Sequence, residues 1–141
     1  MFRHFKAASA TLFSLFFFAG IATAQEEDVT APTITMDAPA NGVDLSEVDD
    51  PDLFSHSKVT VSGTASDDTR VTRVEYRIER SRRWRKATLI RTSTGEGTQE
   101  YAWAVRVRMG KKSSRRIYVR AYDEEKNESD IIGRRLKRGK R

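Results

Sequence analysis

Alternation of apolar and polar positions organises the chain from residue 58 onward. In KVTVSGTAS (58–66), Val59, Val61, Gly63 and Ala65 share one face, the period-two pattern of a half-buried strand. Asp67, Asp68 and Thr69 predict a turn. VTRVEYRIER (71–80) then sets Thr72, Val74, Tyr76 and Ile78 on one face and Arg73, Glu75, Arg77 and Glu79 on the other. WRKATLI (84–90) reads as a weaker strand that directs Trp84 and Leu89 at the core. YAWAVRVRM (101–109) turns Tyr101, Trp103, Val105, Val107 and Met109 inward, and RIYVRAYD (116–123) does the same with Ile117, Val119 and Ala121. TITM (33–36) supplies a short first strand, and SDIIGRR (129–135) a last one that frays into LKRGKR.

The intervening stretches carry turn chemistry. APANG (38–42) joins proline to Asn-Gly, GKKSSR (110–115) is polar, and RTSTGEGTQE (91–100) is polar with two glycines. Residues 40–57 are acidic with weak periodicity and predict a long loop, at most with one helical turn at LSEVDD. Seven short alternating strands without a helical segment predict an all-β fold, a seven-stranded antiparallel sandwich of immunoglobulin type, with an open barrel as the competing architecture.

The first residues follow a different rule. MFRHFK is basic, LFSLFFFAGIA (12–22) is apolar, and ATA (22–24) offers small residues for cleavage, so residues 1–24 read as a signal peptide. The apolar run is shorter than the roughly 20 residues that span a bilayer, and no later stretch is a candidate to cross one. The expected organisation is a signal peptide (1–24), an acidic segment (25–30), a sandwich domain (31–134) and a basic tail (135–141), located in the periplasm or outside the cell. The chain has no cysteine. Disulfides, thiol-attached lipid and a cysteine zinc site are thereby excluded, and a domain of about 115 residues must rest on its core alone.

The net charge of +6 conceals a polarised chain. Residues 25–57 hold nine acids and no Lys or Arg, whereas residues 58–141 hold 24 Lys or Arg against 11 acids. Such separation suits either an internal electrostatic contact or an anionic partner. In a sandwich, the acidic loop would meet the basic turn and tail, with Asp49, Asp50 and Asp52 opposite Lys111 and Lys112.

GTASDDTRVTRVEYRIERSRRWRKA (63–87), YAWAVRVRM (101–109) and RRIYVRAYDEEKNES (115–129) resemble the bacterial immunoglobulin-like and fibronectin-type sandwich domains of exported proteins. The shared features are the Gly-Thr-Ala-x-Asp step, the Val-x-Tyr-x-Ile strand, the following Trp and the Ala-x-Asp-x-x-x-Asn-x-Ser exit. The resemblance spans roughly residues 31–134 and implies an adhesive, spacer or accessory module without catalytic apparatus. One departure is visible: the family's exit has glycine before the asparagine, where this chain has Lys126.

In that topology Asp67 or Asp68 lies at the same end as Asp123, Glu124 and Asp130. Turn-shaping is the leading expectation for these carboxylates. Calcium at Asp67, Asp68 and Asp123 is the minor one, because oxygen ligands are plentiful but lack ordered spacing, and the expectation is no metal and no cofactor. A secreted hydrolase using Asp67 and Asp123 would need a cleft. His56, between Ser55 and Ser57, reads as a loop residue. The outward face combining Arg73, Arg77, Tyr118, Arg120 and Tyr122, together with Lys137, Arg138, Lys140 and Arg141 in the tail, is the candidate binding surface. Arginine and tyrosine pair planar hydrogen bonding with large contact area. The expected function is a non-enzymatic exported binding or assembly module for an anionic polymer, glycan or protein at the cell envelope. A purely structural domain is the alternative, and specific nucleic-acid recognition is not expected.

Overall fold

The computed structural model describes residues 28–92, 97–111 and 113–139. The expected signal peptide (1–24), residues 25–27 of the expected acidic segment, Lys112, Lys140 and Arg141 lie outside them. Among the described residues nine strands form two antiparallel sheets: β1 (Thr33–Ile34), β2 (Phe54–Ser55), β3 (Lys58–Asp67), β4 (Val71–Ile78), β5 (Arg85–Lys86), β6 (Thr88–Arg91), β7 (Gln99–Arg108), β8 (Ser113–Asp123) and β9 (Ile132–Arg138). One sheet has the order β1-β3-β7-β6, with β2 pairing the start of β3, and the other the order β5-β4-β8-β9. This is the expected sandwich, with β2 an additional short hairpin arm and the 84–90 strand divided in two.

The alternation seen in the sequence becomes the core. Val61 sits opposite Val105 and Val59 opposite Val107 in one sheet, and Val74 faces Ala121 and Tyr76 faces Val119 in the other. All but Tyr76 are buried; its ring is half-buried and packs on the core cluster. The β2–β3 turn holds His56 and Ser57 at φ 49° and 63°, the paired left-handed conformation of a two-residue hairpin turn that follows the strands' twist.

Three details differ from the sequence reading. The 84–90 strand changes sheets at Ala87, with β5 pairing β4 and β6 pairing β7. Trp84 therefore leaves the core side and lies over the outer face of β4 and β8, while Leu89 does pack inward. A bulge between Val71 and Arg73 resets the alternation. Val71 is buried and Thr72 is exposed, because two residues of β4 there oppose one of β8; the Thr72 hydroxyl donates to the Asp123 carbonyl at 2.9 Å. Finally, the chain does not fray after residue 135. β9 runs to Arg138, and Leu136 is 1% exposed in the core. A lone leucine among basic residues gives little periodic signal, yet the half-buried Arg134 and Arg138 beside it bury their stems and donate from their heads to the Pro39 carbonyl and the Met109 carbonyl.

The acidic loop is anchored rather than loose. Leu45, in a single 3-10 turn (Leu45–Glu47), is 1% exposed. Asp44 caps that turn and also accepts the Gly139 amide at 2.8 Å beyond β9, so it is Asp44 that ties the loop to the C-terminal strand. Asp50 instead shapes its own turn by accepting the Asp52 amide at 2.9 Å. The Gly139 amide, then the Ser46 amide and hydroxyl and the Lys137 charge, lower the Asp44 carboxyl from 3.8 to about 2. A lowered carboxyl pKa contributes stability that is present above the unfolded value and lost as pH falls through the folded one. Docking of the β9 end should thus hold above about pH 4 and weaken toward pH 2. The Gly139 amide resonance should report a midpoint near 2; a midpoint at the ordinary aspartate value would discard this contact.

Candidate functional site

The antiparallel register of β4 and β8 sets Arg73 opposite Tyr122, Glu75 opposite Arg120 and Arg77 opposite Tyr118. All point away from the core because they alternate with Val74, Tyr76, Val119 and Ala121. Trp84, carried in from the loop before β5, completes a ladder in the order Tyr118, Arg77, Trp84, Arg120, Tyr122, Arg73. The Arg77 guanidinium carbon lies 4.8 Å from the Tyr118 ring centre and 5.2 Å from that of Trp84. Arg120 lies 4.0 Å from Trp84 and 5.1 Å from Tyr122, and Arg73 lies 3.8 Å from Tyr122. Guanidinium on an aromatic face contributes about 0.5–1 kcal/mol when exposed and more when desolvated.

The ladder's charges are largely answered within it. Glu75 pairs with Arg120 at 2.8 Å and with Arg73 at 3.1 Å, and Glu128 pairs with Arg120 at 3.3 Å. Glu128 also accepts the Tyr122 hydroxyl at 2.7 Å; burial, together with that bond, raises the Tyr122 phenol pKa. Lys137 is exposed, and Arg138 is tied to Ser57 at 3.1 Å and set over the Phe54 ring. Of the arginines expected to bind, then, four already have donors or faces committed inside the domain.

A second group of arginines lies below the ladder. Arg80, Arg83, Arg85, Arg115 and Arg116 are exposed, and none makes an ion pair within 4.0 Å among the described residues. The end of β4 and the start of β8 bring them together: the Glu79 amide donates to the Arg116 carbonyl at 2.7 Å. Arg83, Arg85 and Arg115 line a concavity of about 260 Å³ with Tyr76 and Arg77, and Arg80 and Arg115 line its neighbour of about 310 Å³. The density of arginine in SRRWRK and SSRR is the sequence signal for this rim.

At the opposite end, Asp67 and Asp123 do converge, and the third member is Asp28 rather than the exposed Asp68. One carboxylate oxygen from each lies within 4.8 Å of the others. Asp123 is 1% exposed and shapes its turn, accepting the Asn127 amide and side-chain amide at 2.7 Å each. Lys126 takes φ 69° there, so the turn forms with lysine where the family has glycine. Asp67 accepts the Thr69 hydroxyl at 2.6 Å through Oδ2, while its buried Oδ1 has no hydrogen-bond partner. Burial pushes its carboxyl pKa up, against the lowering effect of Thr69. Asp28 accepts the Thr30 amide, which lowers its pKa, and the Thr69 hydroxyl. Neither Glu124, paired with Arg70 at 3.6 Å, nor Asp130 belongs to the cluster.

No substrate cleft joins these carboxylates among the cavities described. A cavity of about 910 Å³ lies at the other end and is bordered by Leu45, Val48, Phe54, His56, Lys111 and Arg138. No helix among the described residues is long and apolar enough to cross a membrane.

No curated protein matches the chain. Among solved structures it is similar to the sulfane dehydrogenase SoxCD from Paracoccus pantotrophus, with 18% identity and a TM-score of 0.51 over 70% of this chain and 23% of that one. The chain spans less than a quarter of that protein's length, and at this identity the likeness is one of fold. A family model described as bacterial Ig domain matches residues 32–119. The match spans more than half of the chain and most of both antiparallel sheets, and the chain belongs to the bacterial Ig domain family.

Proposed function

We propose that this is a non-enzymatic, exported binding or assembly module whose arginine rim docks on an anionic polymer or headgroup surface of the cell envelope. A bacterial Ig domain is in general a non-enzymatic module. The observation that carries the reading is the contrast between the two arginine groups: in the ladder Arg73 and Arg120 pair with Glu75 or Glu128 and Arg77 lies between two ring faces, whereas the rim arginines are exposed and make no ion pair among the described residues. In this reading Arg73, Arg77, Arg120, Tyr118 and Tyr122 hold Trp84 and its loop rigid beneath the rim, and Lys137 adds positive charge at its side. The export signal in residues 1–24 supplies the location.

The test compares binding of the purified protein to vesicles with anionic and with neutral headgroups at low salt. Each arginine near an anionic surface contributes about 1 kcal/mol, so the triple change of Arg83, Arg85 and Arg115 to glutamine should weaken binding about a hundredfold. Binding should also fall as salt screens the surface. Equal binding by the triple variant, or none by the intact protein, would remove the rim from consideration. A purely structural role is the second reading, favoured by the internal charge balance of the ladder, and predicts no binding to either vesicle.

A further inference from the structure

We propose that Asp28, Asp67 and Asp123 form a calcium site that clamps the segment before β1 onto the end of the sandwich. Two of the three carboxylates are almost fully buried, at 4% and 1% exposure, and none of the three pairs with Lys or Arg within 4.0 Å among the described residues. Buried charges in folded proteins are paired or coordinate metals. Asp123 is satisfied by Asn127, but Asp67 Oδ1 is enclosed without a hydrogen-bond donor. A buried, unpartnered carboxylate oxygen beside two further carboxylates lacks only a cation.

Carboxylate oxygens within 4.8 Å of one another are close enough to share one ion, and Ca²⁺, which accepts oxygen ligands in flexible geometry, suits carboxylates fixed by the fold better than Mg²⁺, which requires strict octahedral order. Hydrogen bonds to Thr30, Thr69 and Asn127 leave lone pairs free on each carboxylate while fixing their positions. The segment is already held there: the Asn127 side-chain amide donates to the Asp28 carbonyl at 2.8 Å, and Thr69 bridges Asp28 and Asp67 at 3.1 and 2.6 Å. The ion would thus join β3, β8 and the incoming chain, three parts of the molecule brought together only by the fold. With three protein carboxylates and water completing the shell, the affinity should be that of extracellular modules, about 0.1–1 mM, which rests on the exported location proposed above.

Calorimetric titration of the purified full chain with CaCl₂, after removal of bound metal by chelator, should give one saturable site. Thermal unfolding should rise on the order of 5 °C at ten times the dissociation constant. Asp67→Asn keeps the shape and supplies a donor of its own; it should fold, lose at least tenfold in calcium affinity and lose the thermal response. Asp28→Ala alters only the incoming segment and should lose the response without unfolding the domain, so a folding failure at Asp67 would leave the site still testable. Absence of saturable calcium binding up to 10 mM, about ten times the weakest affinity expected, would overturn the proposal. So would unchanged affinity in Asp28→Ala, or equal binding of Mg²⁺. None of these outcomes touches vesicle binding by the arginine rim, so the two readings fail separately.

Discussion

Replacing Trp103 with alanine should destabilise the domain by about 3–5 kcal/mol. Trp103 is the largest fully buried side chain, at 1% exposure, in the middle of β7 and opposite Gly63 of β3. Its indole nitrogen donates to the Thr35 carbonyl at 3.0 Å and to the Thr64 carbonyl at 3.3 Å. The alanine variant thus leaves both a cavity and a part-buried carbonyl that has lost its indole donor. With only about 5–15 kcal/mol holding a domain of this size and no disulfide to assist, much of the stability goes with one residue. Trp103→Phe separates the two effects: it retains most of the apolar volume and should cost about 1–3 kcal/mol, chiefly for the unsatisfied carbonyl. Urea unfolding followed by far-ultraviolet circular dichroism measures both; a loss under 1 kcal/mol in the alanine variant would mean that the core does not close around this ring.

The architecture was legible because each long strand buries one face only. The inward sets of β3, β7 and β8 follow directly from the alternation, as does the pairing of Arg73, Arg77, Tyr118, Arg120 and Tyr122 on one outer face. What escaped the sequence were positions where a local break changes the phase. The sheet switch at Ala87 moves Trp84 from the expected core to the ladder, and nothing in WRKATLI marks the switch, because an outward tryptophan is paid no penalty in an alternation count. The bulge at Val71–Arg73 exchanges Thr72 for Val71 in the same way. Leu136 was hidden by its basic neighbours, whose long stems make them compatible with a half-buried strand. For the same reason deletion of residues 136–141 would remove core as well as charge, and substitution of the rim arginines is the cleaner probe of binding.

The carboxylate cluster was half visible. Turn chemistry identified Asp67 and Asp123, and the topology put them at one end, but Asp28 belongs to an acidic stretch whose many carboxylates gave no reason to select one. The contact that selects it is Asn127, which reaches back to the Asp28 carbonyl across 99 positions of sequence. Long-range contacts of this kind carry no periodicity and become apparent only in three dimensions.

Gly63→Ala should be among the most damaging small changes available in the chain. A methyl at this position would lie 2.0 Å from the Thr35 carbonyl oxygen, 2.8 Å from its carbon and 3.0 Å from Met36 Cα. All three are backbone atoms, so no rotamer change relieves the clash. The chain after β1 crosses this closely because it departs from ladder geometry there: the Thr64 amide bonds the Thr35 hydroxyl at 3.2 Å, and the Thr35 carbonyl is turned inward to the Trp103 indole. Overpacking commonly costs about 1–3 kcal/mol, and a rigid backbone contact belongs at or above the upper end of that range. Gly133 offers the contrast, since a methyl there meets the Tyr118 ring at 3.1 Å, a side chain able to shift, and its alanine variant should be milder. The Gly63 substitution should also free the N-terminal strand before the rest of the sandwich unfolds, exposing the Thr35 and Asp37 amides, which bond the Thr64 and Ser62 carbonyls at 2.8 Å, to faster hydrogen exchange. Because the clash and the indole bond share the Thr35 carbonyl, its effect should be less than additive with Trp103→Phe. Full additivity, or unchanged exchange at Thr35 and Asp37, would show that this crossing does not fix the position of β1.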